Sequence, residues 1–157
     1  MGNSSTDTCC LTLPLKLEKW QEDRLAKRFE LARQIYNTLV RAELKKLERV
    51  KHSAPYREIQ GQIQALDWSN PNDKAELRRL YKARDALLKS SGFTEYSFKS
   101  DIKYYYKHFQ DNIGSDVAFH GIAPQVWTAF EKVLFKDGKK IHYKQYGDVS
   151  SVQGYSK

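Results

Sequence analysis

The chain has 157 residues, with 27 Lys plus Arg against 19 Asp plus Glu and a formal net charge of +8. That length suffices for one hydrophobic core, the positive excess points to a polyanionic partner, and no apolar run approaches the roughly twenty residues needed to cross a bilayer. The two cysteines, Cys9 and Cys10, are adjacent. A disulfide between neighbours is geometrically awkward, so a reducing, cytoplasmic setting is the expectation.

In chain order, residues 1–8 read as a small polar leader. Met1-Gly2-Asn3-Ser4-Ser5-Thr6 also satisfies the N-myristoylation pattern formally, with Cys9 or Cys10 as a second lipid site. Leu11-Thr12-Leu13-Pro14-Leu15-Lys16-Leu17 alternates apolar with other residues, so residues 9–17 read as an opening strand. Pro14 lacks an N–H and places that strand at a sheet edge. From Glu18 the period changes. Leu25, Phe29, Ala32, Tyr36, Leu39, Val40, Leu47 and Val50 fall on one stripe of a helix that spans about 50 Å if unbroken to Lys51. Glu43 interrupts the stripe, which predicts that the helix leaves the core there or changes packing partner.

Pro55 suits the first turn of a second helix carrying Ile59, Ile63 and Leu66. Asp67-Trp68-Ser69-Asn70-Pro71-Asn72 is a turn cluster. A third helix from Asp73 to Lys89 runs through Leu77, Leu80, Tyr81, Leu87 and Leu88, closed by Gly92 as a left-handed cap, and Thr94 offers an N-cap for the next. That fourth helix, 96–113, places Phe98, Ile102, Tyr105, Tyr106, Phe109 and Ile113 on one face and Lys99, Lys103 and Lys107 on the other. Gly114 stops it, and Pro124 starts a fifth helix through Val126, Trp127, Phe130, Val133 and Leu134. Lys136-Asp137-Gly138-Lys139 then turns the chain into strand patterns at Ile141 to Tyr146 and Ser151 to Tyr155. The expected fold class is α+β and predominantly α: a helical lobe over 18–136 inserted between the opening strand and returning strands over 137–157 of an incomplete small β-domain. So few strands are marginal by themselves in water.

Catalysis has little footing in these residues. His52, His108, His120 and His142 are dispersed, with no HExxH or Cys-x-x-Cys pattern. Acidic residues mostly alternate with Lys and Arg on polar faces, and no glycine-rich phosphate loop occurs. No catalytic residue, metal ligand or cofactor is therefore expected. Binding of a polyanion has a firmer basis. Arg24, Lys27, Lys45 and Arg49 share the side of the first helix opposite Arg33, and Arg78, Arg79, Lys82 and Arg84 cluster on the third. Tyr96 and Tyr104 flank the Lys99, Lys103, Lys107 row, a combination that suits unpaired bases beside a charged backbone. For any single one of these residues, a solvated face or a packed ring is the ordinary explanation. The net excess of positive charge carries the reading.

Asn37 stands in mid-helix, where Asn is mildly disfavoured unless its amide binds something. Phe29-Glu30-Leu31-Ala32-Arg33-Gln34-Ile35-Tyr36-Asn37-Thr38-Leu39-Val40 resembles the N-terminal helix of the TnpB-like, OrfB-type transposon nucleases, RNA-guided proteins related to the type V CRISPR effectors. The Arg-x-x-Tyr-Asn core carries the likeness. Residues 11–17 look like that family's opening strand, Ile122-Ala123-Pro124-Gln125-Val126-Trp127-Thr128-Ala129-Phe130 like its later helix, and 140–154 like the basic strands that follow. The resemblance implies a wedge-like β-domain with a helical recognition lobe, and guide RNA and DNA as partners. Arg33, Tyr36 and Asn37 match the motif, and Lys140 and Lys144 lie on the matching strand segment. The family's RuvC-like nuclease and zinc-binding insert would fall beyond Lys157, so the expectation is a truncated or split portion that binds without cutting. Two other readings stand beside it: a basic helical protein held at a membrane surface by lipidation, and a helical protein-interaction module.

Overall fold

The apolar stripe that begins after Glu18 closes into one uninterrupted helix, α1 (Lys19–Lys51), in a computed structural model that describes residue 14 and residues 16–109 and 111–152. Gln21 Oε1 accepts from the Glu18 backbone N–H at 2.9 Å and so occupies a donor that the helix start leaves open. Ala32, Ile35, Tyr36, Leu39, Val40 and Leu47 are buried, whereas Leu25, at the outer end of the stripe, is exposed. Glu43 does not turn the helix out of the core. It is buried within it.

α2 (Ala54–Gln64) starts with Pro55 in its first turn, where the missing N–H has no partner to lose. It packs against α3 (Lys74–Ser90), whose Leu77 and Leu80 are buried apart from the principal cluster. Gly92 ends α3 at φ +90°, and the Phe93 N–H returns to the Leu88 carbonyl at 3.1 Å, as a left-handed cap requires. Thr94 then caps α4 (Glu95–Tyr106), its Oγ1 accepting from Ser97 N at 3.2 Å. The fourth helix ends earlier than its pattern predicts. A 3₁₀ turn over Lys107–Phe109 follows, and Ile113 reaches the core from the loop beyond. A π-helical turn, Val117–Ile122, leads directly into α5 (Ala123–Phe135).

The body of the molecule is α1, α4, α5 and the π turn, closed around Phe93, Phe98 and Phe130. Phe98 meets Phe130 and Trp127 edge-on, at centroid separations of 5.1 and 5.3 Å. That geometry sets the positive ring edge against the negative ring face and adds to the burial itself.

The α+β expectation is corrected here. Among the described residues there is no strand, and the fold is all-α. Residues 136–152 run irregularly over the helices, with Ile141 buried and His142 and Tyr143 exposed. The alternation that reads as a strand is met by a helical surface, and among the described residues no second segment pairs with it. Pro14 and residues 16–18 are likewise irregular. The leader, Gly2, Cys9, Cys10, most of the expected opening strand and the end of the second returning strand lie outside the described residues.

Gly138 shows how closely this terminal segment is seated. Its N–H donates to the Lys132 carbonyl at 2.9 Å, and a Cβ there would lie 2.7 Å from that backbone. Gly61, inside α2, has open space around it. Gly138→Ala is therefore expected to destabilise by about 1–3 kcal/mol through overpacking, and Gly61→Ala to stabilise by roughly 0.5–1 kcal/mol through helix propensity. Urea midpoints of the two variants should move in opposite directions.

Candidate nucleic-acid interface

Residues four apart on a helix share a face, and Arg41, Lys45 and Arg49 form such a row on α1. They line a groove of about 520 Å³ between α1 and α4, whose far wall carries Asp101, Tyr104 and Tyr105. Tyr104 is 74% exposed and so available as a stacking surface. Among the described residues no carboxylate forms an ion pair with Arg41, Lys45 or Arg49.

The acids of this groove are occupied from below. Lys46 Nζ lies 2.9 Å from Asp101 Oδ2 and 2.6 Å from Glu43 Oε2. Its contact with Glu43 is close but poorly aligned, leaving that oxygen buried without a hydrogen-bond partner. Burial pushes the Glu43 carboxyl from its ordinary 4.5 up to about 7, against the pull of the Lys46 ammonium and with a further push from Asp101. For Lys46, burial lowers the affinity for its proton, but the two carboxylates outweigh it and the net shift is upward. One ammonium thus offsets two acids, and the outer row of cations stays unopposed.

The residues matched to the transposon-nuclease motif are engaged within the chain. Asn37 Nδ2 donates to the Lys144 carbonyl at 2.8 Å, and Asn37 Oδ1 accepts from the Lys144 N–H at 2.9 Å. The side-chain amide thereby serves Lys144 as a neighbouring strand would, which is the partner a mid-helix Asn needs. Arg33 donates to the same carbonyl at 3.2 Å and holds Glu30 in a two-point pair. The Arg33 hydrogen bond draws the Glu30 carboxyl down to about 2. The Lys144 ammonium sits 4.7 Å from the centre of the Tyr36 ring and donates to Gln125 Oε1 at 2.9 Å. The Arg-x-x-Tyr-Asn helix is a latch for the terminal segment.

The remaining cations are dispersed. Arg24 lies over Trp20, with 5.9 Å from its guanidinium carbon to the ring centre, and Lys27 and Lys140 are exposed. Arg79 is held by Glu76, and Lys99 by Glu95 at 2.6 Å. Lys103 lies 5.7 Å from the Phe119 ring centre, and Lys107 is exposed in the 3₁₀ turn. None of these lines the α1–α4 groove. Arg78 and Lys82 line a separate cavity on α3. Arg41 went unnoticed in the sequence, although its spacing to Lys45 and Arg49 was visible there. Among the described residues no cluster of three or more His, Cys, Asp or Glu could hold a metal, and no helix is long and apolar enough to cross a membrane.

No protein-family model, curated protein or solved structure matches the chain. The site therefore stands on its geometry and chemistry.

Two outcomes follow. The folded chain binds the Glu43 proton more tightly than the unfolded chain does, so this contribution to stability is fully present below about pH 4.5 and is lost as pH rises through 7. Comparing wild type with Glu43→Gln from about pH 5 to about pH 8 should show a loss on the order of 1–3 kcal/mol in wild type alone. Asn37→Ala should cost roughly 1–2 kcal/mol and expose the Lys144 amide to hydrogen exchange. Unchanged protection of that amide would show that the latch is held by other contacts.

Proposed function

We propose that this chain binds structured RNA and DNA, as the helical recognition portion of a TnpB-like RNA-guided nuclease, and that cleavage is no part of its own activity. The observation that carries the reading is the unopposed Arg41, Lys45, Arg49 row beside exposed Tyr104. Successive members of the row are about 6 Å apart along the helix axis, so a strand rising roughly 3.4 Å per nucleotide presents a phosphate to each about every second step. Phosphate neutralisation provides sequence-independent affinity, and the phenol provides a face for an unpaired base.

The transposon-nuclease part of the reading rests on the Arg-x-x-Tyr-Asn likeness and its companion motifs. Its functional content shifts with the fold. Arg33, Asn37 and Lys144 support the interface indirectly by seating the terminal segment on α1, and the α1–α4 groove makes the nucleic-acid contact.

Binding of an RNA hairpin or DNA duplex, measured by filter retention across a salt series, should weaken linearly in log–log form. The combined Arg41→Gln, Lys45→Gln, Arg49→Gln variant should lower the steepness by about two to three, because each lost phosphate contact removes about 0.7 to 0.9 from the slope. An affinity indifferent to salt, or an unchanged slope in the variant, would sink the proposal. Circular dichroism of the variant should match wild type, since all three side chains are exposed.

A further inference from the structure

A second cavity, about 590 Å³, lies on the α2–α3 hairpin away from the groove. Its wall is aromatic and cationic at once. The Trp68 indole stacks on Tyr81, with ring centres 5.8 Å apart and planes inclined by 29°, yet Trp68 remains 47% exposed. Arg84 lies 4.8 Å from the Tyr81 ring centre and pairs with Asp85 at 2.8 Å, which neutralises the acid of the cavity wall. Arg78, Lys82, Ala86 and Lys89 complete the lining. Lys89 also lies over Phe135, while among the described residues no acid pairs with Arg78 or Lys82.

The position of the indole is built by the loop. Asp67 Oδ1 accepts from Ser69 N at 2.9 Å, Asn70 Oδ1 from Asn72 N at 3.0 Å, and Asp73 Oδ2 from Asp67 N at 3.1 Å. Hydrogen bonding by Ser69 draws the Asp67 carboxyl below its ordinary range, as expected for a carboxylate kept charged to hold a turn. An exposed indole is normally a poor use of apolar area. One held over a tyrosine beside unopposed cations has the form of a stacking platform.

We propose that the Trp68–Tyr81 platform holds an unpaired nucleobase, with Arg78 and Lys82 on the flanking phosphates. The volume is in the range of about 300–1,000 Å³ typical of small-ligand sites and so accommodates a nucleotide-sized group. The proposal rests on the nucleic-acid reading and adds a second element of recognition: the α1–α4 groove meets phosphates with Tyr104 as its own ring, and the α2–α3 platform is a separate site for an exposed base.

The test uses the full chain and two oligomers of about twelve nucleotides, oligo-uridine and an abasic strand with the same number of phosphates. Wild type should prefer oligo-uridine about tenfold, the size expected for one base stacked on an aromatic ring. Because Tyr104 of the groove also offers a ring, the platform is tested in a Tyr104→Ala background, where Trp68→Ala should remove the preference while leaving abasic affinity unchanged and Trp68→Phe should keep most of it. Equal binding of the two oligomers by wild type or by Tyr104→Ala, or a preference surviving in the Tyr104→Ala, Trp68→Ala double variant, overturns the platform. The groove variant Arg41→Gln, Lys45→Gln, Arg49→Gln should bind both oligomers more weakly with the ratio kept. If that variant binds like wild type while Trp68→Ala in the Tyr104→Ala background loses the ratio, the groove reading falls and the platform stands. Absence of binding to either oligomer in wild type overturns both.

Discussion

The ammonium of Lys46 sits where three segments of chain converge. It contacts Glu43 one turn earlier on α1 and Asp101 on α4, approaches the Gly92 carbonyl at 3.4 Å, and lies 5.3 and 5.5 Å from the ring centres of Phe93 and Phe98. A charge withdrawn from water is costly unless paired, and removing either partner leaves the other uncompensated. The register of α1 against α4 is constrained by this cluster. Arg41, Lys45 and Arg49 lie on the same length of α1, so their positions relative to Tyr104 follow from it. The interior charge cluster and the outer cation row are two faces of one arrangement.

The positive excess of the chain is divided by structural use. Arg33 and Lys144 hold the terminal segment, Arg79 and Lys99 are paired along their own helices, and Lys103 and Lys89 lie over aromatic rings. Of the others, Arg41, Lys45 and Arg49 line the α1–α4 groove and Arg78 and Lys82 the α3 cavity beside Trp68, while Lys27, Lys107 and Lys140 are exposed elsewhere. Surface pairs contribute little to stability, so their main consequence here is subtractive: they reduce the cations able to meet a phosphate. Counting Lys and Arg along a helix overstates the interface for this reason.

Local features were legible because their causes are local. The α1 stripe, Pro55 and Pro124 in first turns, Gly92 as a left-handed cap and Thr94 as an N-cap each depend on residues within about a turn of one another. The fourth helix was read too long because Phe109 and Ile113 continue its apolar period while the backbone does not. They reach the same core from a 3₁₀ turn and a loop. At Glu43 the sequence leaves open whether α1 exits the core or changes packing partner, because Lys46 is visible there but Asp101 and the two phenylalanine rings beyond it are not.

The sequence by itself determined where the five α-helices begin, which of their faces are apolar and how many cations the chain carries, since periodicity, caps and composition are properties of short stretches. Tertiary structure decided the rest. Whether residues 141–146 are a strand depended on what lies beside them, and Asn37 supplies that partner from 107 positions away. Whether Lys45 belongs with Tyr104 depended on the crossing of α1 and α4, and the Trp68 platform on the folding back of α3 against the loop that precedes it. Alternation describes a side chain's two environments, but a strand exists only when its backbone donors and acceptors meet another backbone, and no stretch of sequence carries that information alone.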